Sequence, residues 1–420
     1  MSALFLSPQV GNAQLAAPTA SSPPPLSDSA RGGLTLPDAL REARANNLEI
    51  NAARRSVDVA RAMETQAVPA PLEAQAASGS TQDVPAGLGT LQTFSIGASQ
   101  QLSASTPALH QAAAAAVAVA QGQSDATERD VEQRVVTSYF ALASAQAVLS
   151  ANLQSVANAQ SIEDSAQLRA RVGAVGSFEV LRAQVELRRA QTDVLRASAA
   201  VRNAAVNLDL LLGRSLDASP TVVLIPASPQ VVDLNALFNR AELIDPLLAQ
   251  FRASVDQAVA QARAARLQRI PSLGVSGGYL FQRAPKTAAI SRGPTAAITL
   301  SFPVLDYGTI NGAVREAQAR AAVADAQIRG RDAQLHGELS KEAFDIESAQ
   351  ARLSFSRVSL TQAQEGLRLA QFGYQKGALG VLDVLSARSE LSAARSEVTQ
   401  ASADLGAAIA RLQLTVGAPV

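Results

Sequence analysis

The sequence predicts an internally duplicated chain of mixed α and β structure, in which two long helical hairpins alternate with two pairs of strands. Three observations carry that expectation. The stretch from Arg169 to Leu187, RARVGAVGSFEVLRAQVEL, returns 204 residues later as GYQKGALGVLDVLSARSEL, Gly373 to Leu391. Gly173 to Gly213 aligns without a gap with Gly377 to Gly417, keeping Gly173/Gly377, Gly176/Gly380, Leu181/Leu385, Glu186/Glu390 and Gly213/Gly417. Ahead of each glycine pair runs a long stretch rich in Ala, Gln and Arg with no internal Pro, and ahead of that come short runs of period two.

Taken in order, residues 1–33 read as a flexible leader, because SSPPPLSDSARGG is Pro- and Ser-rich. Met1 to Leu6 gives only a stub of the apolar core of about 7 to 15 residues that a secretory signal needs, so the reading expects a true start upstream or a truncated record. Residues 34–213 form the first repeat, 214–232 a linker at the waist, 233–417 the second repeat and 418–420 a tail. The first helix is expected from Leu34 to about Gln66, with Pro37 in its first turn and Asp38 where the helix dipole favours an anion. Its counterpart runs from Leu234 to Gln268 and ends at Pro271, and the Ser-Val-Asp at 56 to 58 recurs at 254 to 256.

Strands follow each break. Leu273, Val275, Tyr279 and Phe281 share one parity, as do Ile298, Leu300, Phe302 and Val304. Phe94, Ile96, Ala98 and Leu102 alternate less strongly, and Leu72 to Thr81 is an Ala- and Ser-rich candidate. Asp83 to Gly89 and Arg283 to Gly293 carry the Pro and Gly of connecting loops. Alternation over about 10 residues suits a tilted strand crossing a bilayer, and no run offers a spanning helix instead. On pattern alone a soluble antiparallel sheet with one wet face fits equally well. If the strands do cross a membrane, four cannot close a barrel, so copies of the chain must share one sheet.

The long helices are expected at about Thr106 to Arg171 and Asn311 to Lys376, each about 100 Å at about 1.5 Å per residue. Val131, Val135, Tyr139, Leu142, Gln146, Leu149, Leu153 and Val156 make a coiled-coil seam with one polar member. Returning helices are expected from Phe178 to Leu212 and Leu382 to Val416, ended by Gly213 and Gly417. A glycine pair at each tip suits a tight turn where φ is positive or backbones approach closely. Thr221 to Val232, TVVLIPASPQVV, suggests a small strand within the linker.

Composition excludes several classes of function. Thirty-six basic residues balance 36 acidic ones, which gives no electrostatic reason to expect nucleic acid as a partner. Cysteine is absent, so neither disulfides nor a Cys-based metal site nor a lipid-bearing Cys is available within these residues. The two histidines, His110 and His336, stand far apart and read as ordinary solvated or packed side chains. No catalytic constellation, cofactor motif or metal cluster stands out, so no enzyme, cofactor or metal is expected. With 4% aromatic residues and no Trp, most of the chain should be close-packed coil.

From Leu34 to Gly417, through LTLPDAL, RIPSLGVSGGY, SFPVLDYGTINGAVREAQA and the two glycine tips, the sequence resembles the TolC-like outer-membrane efflux family. The resemblance implies a homotrimer: an α-helical coiled-coil barrel in the periplasm, continuous with a transmembrane β-barrel in outer-membrane lipid of a Gram-negative cell, four strands from each chain. It implies a passive exit duct, with a periplasmic adaptor and an inner-membrane pump, proton-driven or ATP-driven, as partners. Gly173, Ala174, Val175 and Gly176 with Gly377, Ala378, Leu379 and Gly380 would dock the adaptor. The plainer reading is that the glycines only make the turns. Asp383 falls on the family's aperture aspartate, while Ser386 stands where a second is frequent, so the ring would carry fewer charges and hold cations weakly. Tyr374 would donate to Glu179 as an inter-hairpin latch, and Leu379 stands where an arginine would complete it; the plainer reading makes Asp383 and Glu179 solvated acids at helix starts. A type I protein-secretion duct, a coiled-coil scaffold and the adaptor itself remain alternatives, the last expected to carry one hairpin rather than two. The cargo is not legible.

Overall fold

A computed structural model describes residues 33–67, 73–81, 91–173, 175–215, 220–222, 234–284 and 289–418. The first half supplies α1 (Leu36–Asn46), α2 (Leu48–Gln66), β1 (Glu73–Thr81), β2 (Leu91–Leu102), α3 (Thr106–Arg171) and α4 (Ser177–Leu212). The second repeats the order with α5 (Leu234–Ile244), α6 (Pro246–Leu267), β3 (Ser272–Ala284), β4 (Ala289–Ser301), α7 (Thr309–Gln375) and α8 (Val381–Thr415). At 66 and 67 residues, α3 and α7 are each about 100 Å long. The two hairpins, α3–α4 and α7–α8, lie together through α3 and α8, with α6 packed between α3 and α7.

Each helix expected to open a repeat is two helices. Asn47 stands at φ −64° and ψ 131°, its Oδ1 accepts from the amides of Glu49 and Ile50, and its Nδ2 donates to the Leu211 carbonyl at 2.8 Å. The side chain ends α1, caps α2 and ties both to the end of α4. Asp245 does the same between α5 and α6, accepting from Leu248 N at 2.9 Å, and Pro246 takes the first helical position, where its missing N–H costs nothing.

The four strands form one antiparallel sheet in the order β1-β2-β3-β4. The loop expected at 283–293 is shorter than its Pro and Gly suggested: Arg283 and Ala284 belong to β3, and Ala289 to Gly293 to β4. Pro294 follows inside β4, a strand that this chain pairs on one side only, where a missing donor is tolerated. The loop expected at 83–89 lies outside the described residues, as does the linker strand beyond Val222, which itself bridges Leu34 in parallel.

Register lines the apolar residues of neighbouring strands up with one another. Phe94 faces Phe281, Ile96 faces Tyr279, Val275 faces Ile298 and Leu273 faces Leu300, so the apolar rows fall on one face. The other carries Thr93, Ser95, Ser276, Thr295 and Thr299. Among the described residues no helix lies across either face, and Ile96 is 55% and Ile298 76% exposed.

The core sits at the waist. Val131, Val135, Tyr139 and Leu142 of α3 are buried against Leu36, Leu40 and Ile50 below and Leu208 and Leu212 of α4. A second cluster joins Leu335, Leu339 and Ile346 of α7 to Leu405 and Leu412 of α8. Only the first half of the predicted seam is buried within the chain, for Leu153 is 53% exposed. Its polar members also do more than fill a coil. Tyr139 donates its hydroxyl to the Leu34 carbonyl at 2.9 Å, and Gln146 bonds the Pro220 carbonyl and the Val222 amide, which pins the linker.

Candidate functional site

Each hairpin turns on its first glycine. Gly173 and Gly377 have φ of 73° and 74°, the left-handed region that a side chain resists. After α7 the amides of Ala378 and Leu379 both return to the Gly373 carbonyl, at 2.9 and 3.3 Å, which caps the helix end. The second glycines differ from the expectation of positive φ or close approach: Gly176 and Gly380 are extended, at φ −81° and −84°, and serve as N-caps of α4 and α8. Gly377, Ala378, Leu379, Gly380 and Gly176 are exposed and Val175 is half-buried, while Ala174 lies outside the described residues.

The close-packed glycine is Gly373. A Cβ there would come within 2.6 Å of Leu379 Cδ1, so Leu379 folds back over the end of its own helix.

Glu179 and Asp383 hold the same place in the two copies, third residue of α4 and of α8. Asp383 Oδ2 accepts from the Gly380 amide at 2.8 Å and its carboxylate is exposed, so it caps the helix and still reaches solvent. Ser386, one turn on, is exposed and donates to Glu390 at 3.4 Å.

Tyr374 meets Arg169 rather than Glu179. Nη1 of Arg169 donates to the Tyr374 hydroxyl, and the guanidinium lies 4.6 Å from the ring centroid. The ring packs on Ala370, Val384 and Ala387, so one contact ties the end of α3 to the second hairpin. Sequence reasoning passed over Arg169. The signal was available in the alignment of the copies, since Arg169 stands opposite Gly373.

At the waist, reasoning from motifs also missed a buried ion pair. Asp245, its side chain 1% exposed, holds Arg331 at 2.9 Å and lies beside Arg129. Burial opposes a charge on Arg331, but its bonds to Asp245 and Glu338 outweigh that and hold its pKa above the ordinary value. Glu342, which accepts from the Thr415 hydroxyl at 2.9 Å, lines the same cavity of about 420 Å³, and burial raises its pKa. These groups lock α6 to α7. Among the described residues no three His, Cys, Asp or Glu side chains are grouped to hold a metal ion.

Comparison with known proteins gives the same architecture. A family model described as outer membrane efflux protein matches residues 39–214 and again 237–418, one copy to each repeat. The cobalt-zinc-cadmium resistance protein CzcC of Cupriavidus metallidurans is 25% identical over 410 residues, 91% of this chain and 90% of its own. Protein CyaE of Bordetella pertussis is 26% identical over 298 residues, 66% of this chain and 62% of its own length. The crystal structure of the Campylobacter jejuni CmeC outer membrane channel superposes with a TM-score of 0.78 at 16% identity, covering 91% of this chain and 85% of that one.

Proposed function

The chain belongs to the outer membrane efflux protein family, and from that premise we propose that it works as a homotrimer, the passive exit duct of a tripartite system that carries small molecules across periplasm and outer membrane. The sheet is the observation that carries this reading. One face is apolar and uncovered, the other polar, and β1 and β4 each pair on one side only within the chain. Open edges are not tolerated in hydrocarbon, so neighbouring copies must pair them; three copies give a closed barrel of about twelve strands, apolar to lipid and polar to a lumen. Mass measurement in mild detergent, with heat-modifiable migration in gels, tests this. A monomer or dimer as the sole stable species would overturn it.

With no chemistry of its own, the duct draws energy from an inner-membrane pump, proton-driven or ATP-driven, through a periplasmic adaptor. CzcC carries resistance to cobalt, zinc and cadmium in its name, which favours small solutes over secreted protein. The adaptor docks on the tips, Gly173 to Gly176 and Gly377 to Gly380, where the exposed Gly173, Gly176, Gly377, Ala378 and Gly380 allow close backbone approach. Replacing Ala174 and Ala378 with bulky charged residues should keep the trimer and abolish both cross-linking to the adaptor and export; undiminished export would leave the glycines as turn-makers only. Threefold symmetry sets Asp383 of each subunit around one opening, where the carboxylates concentrate cations.

A further inference from the structure

A polar groove of about 560 Å³ lies where all four helices of the two hairpins meet. Ser155 of α3 and Ser392 of α8 join across it, their hydroxyls bonded at 3.0 Å. Three arginines line it, Arg189 from α4 and Arg388 and Arg395 from α8, and none of them forms an ion pair with a described residue. Two acids share the lining, and Asp193 is already engaged by Arg196 at 3.3 Å, which leaves Glu186. Arg388 is half-buried, and its Nη1 donates to the Asn158 carbonyl at 3.3 Å, with the rest of its donor fork unspent. Burial without a counter-charge pushes its pKa below the ordinary guanidinium value.

The hairpin fold itself does not require these charges. In the aligned copies Gln184 stands opposite Arg388, Gln191 opposite Arg395 and Ala393 opposite Arg189, so each position is neutral in the other hairpin. Arg388, Ser392 and Arg395 follow one another at helical spacing along one face of α8, the face that Ser392 turns to α3.

We propose that this groove binds a small multivalent oxyanion of the phosphate class, held by Arg388 and Arg395 of the second hairpin and Arg189 of the first. The charges set the class: three unpaired arginines against Glu186 leave a surplus that a dianion neutralises. Guanidinium forks match the oxygens of a phosphate in pairs, and Ser389 and Gln371 in the lining supply neutral donors. A bound dianion joins α4 to α8, and so adds a second tie between the hairpins to that of Arg169 with Tyr374. Binding does not depend on the duct reading; only its effect on conductance does.

Isothermal titration calorimetry of the detergent-solubilised full chain with inorganic pyrophosphate reads the site directly, without divalent cations and against sodium chloride of equal ionic strength. One pyrophosphate per chain is expected, with affinity falling at least tenfold in Arg388→Gln and in Arg395→Gln, the side chain that the first copy carries at both places. Arg395 is exposed, so its variant reports on the site even where Arg388→Gln unsettles the packing. Arg357→Gln, at an exposed arginine of α7 outside the groove, is expected to bind as wild type does. The absence of saturable heat at millimolar pyrophosphate, or equal weakening by Arg357→Gln, refutes the site. In planar bilayers pyrophosphate should lower the open probability of the wild type and leave that of Arg388→Gln unchanged; binding with no such change refutes the tie between the hairpins. Binding on these terms by a protein that forms no channel keeps the site and overturns the duct.

Discussion

Tyr374→Phe tests the contact between the hairpins. The substitution removes the hydroxyl that accepts from Arg169 and leaves the ring, with its packing on Val384 and Ala387 and the guanidinium above it, in place. A hydrogen bond to a charged group is worth about 1.5 to 3 kcal/mol when well shielded. Both side chains are half-buried, so about 1 kcal/mol per subunit is the working figure. In a threefold ring that opens as one, the loss is about 3 kcal/mol, or roughly a hundredfold shift toward the open state at about 1.4 kcal/mol per tenfold. Single-channel recording in planar bilayers should show a higher open probability and larger mean conductance. Arg169→Ala should go further, since it also removes the cation–π contact, worth about 0.5 to 1 kcal/mol when exposed. The double variant should match Arg169→Ala alone, because one interaction cannot be lost twice. Wild-type gating in Tyr374→Phe with the trimer intact, or additive effects in the double variant, would refute the latch.

Asp383→Ala should weaken block by divalent cations in the same recordings; unchanged block in an intact trimer would remove Asp383 from the aperture and leave it as a helix cap. Gly213→Ala should cost clearly more than Gly173→Ala in thermal unfolding of the solubilised protein: both have positive φ, costing about 1 kcal/mol, but a Cβ at Gly213 also falls 2.7 Å from the Asn46 carbonyl oxygen, while at Gly173 it meets nothing within 4 Å. Equal losses would contradict the packing at the waist. Asp209 is 0% exposed, and burial raises its pKa although Arg214 nearby opposes the shift. Its proton is thus held more tightly folded than unfolded, so stability falls as pH rises from the ordinary carboxylate range through the raised folded value. Asp209→Asn should therefore be more stable than wild type at neutral pH, by about 1 to 3 kcal/mol, and converge with it in acid. Parallel pH profiles for the two would disprove the upward shift.

Much of the fold was legible because its long elements answer to local rules. The run without Pro from Ala108 to Arg171 and the glycines at 213 and 417 mark helix length and helix ends directly, and the structure keeps those marks. The breaks at Asn47 and Asp245 escaped because each is a single capping residue inside an otherwise helical pattern; Pro246 was the visible clue to the second. The long loop at 283–293 was inferred from Pro285 and Gly293, but Gly293, like the Pro294 that follows it, lies inside β4, which this chain pairs on one side only. Tyr139 and Gln146 read as coil positions because their partners, Leu34, Pro220 and Val222, lie more than 70 residues away along the chain. No periodicity reports a contact of that kind.

The site was least legible where the two copies differ, and those differences shape the tip. A ring of identical hairpins would offer equal contacts on both sides of every hairpin, with no pair singled out to close it. Here Arg169 stands opposite Gly373 in the repeat, and Ala170 opposite Tyr374. The first hairpin thus carries the donor and the second the acceptor. Removal of the side chain at Gly373 makes room for Leu379, whose Cδ1 would lie 2.6 Å from any Cβ there. Leu379 then covers the end of α7. Gly373→Arg, which would restore symmetry between the copies, therefore cannot add a second latch without displacing Leu379 from the helix end. The polarity of the contact, donor from one hairpin and acceptor from the other, follows from the difference between the copies, and it leaves one such contact within the chain rather than two.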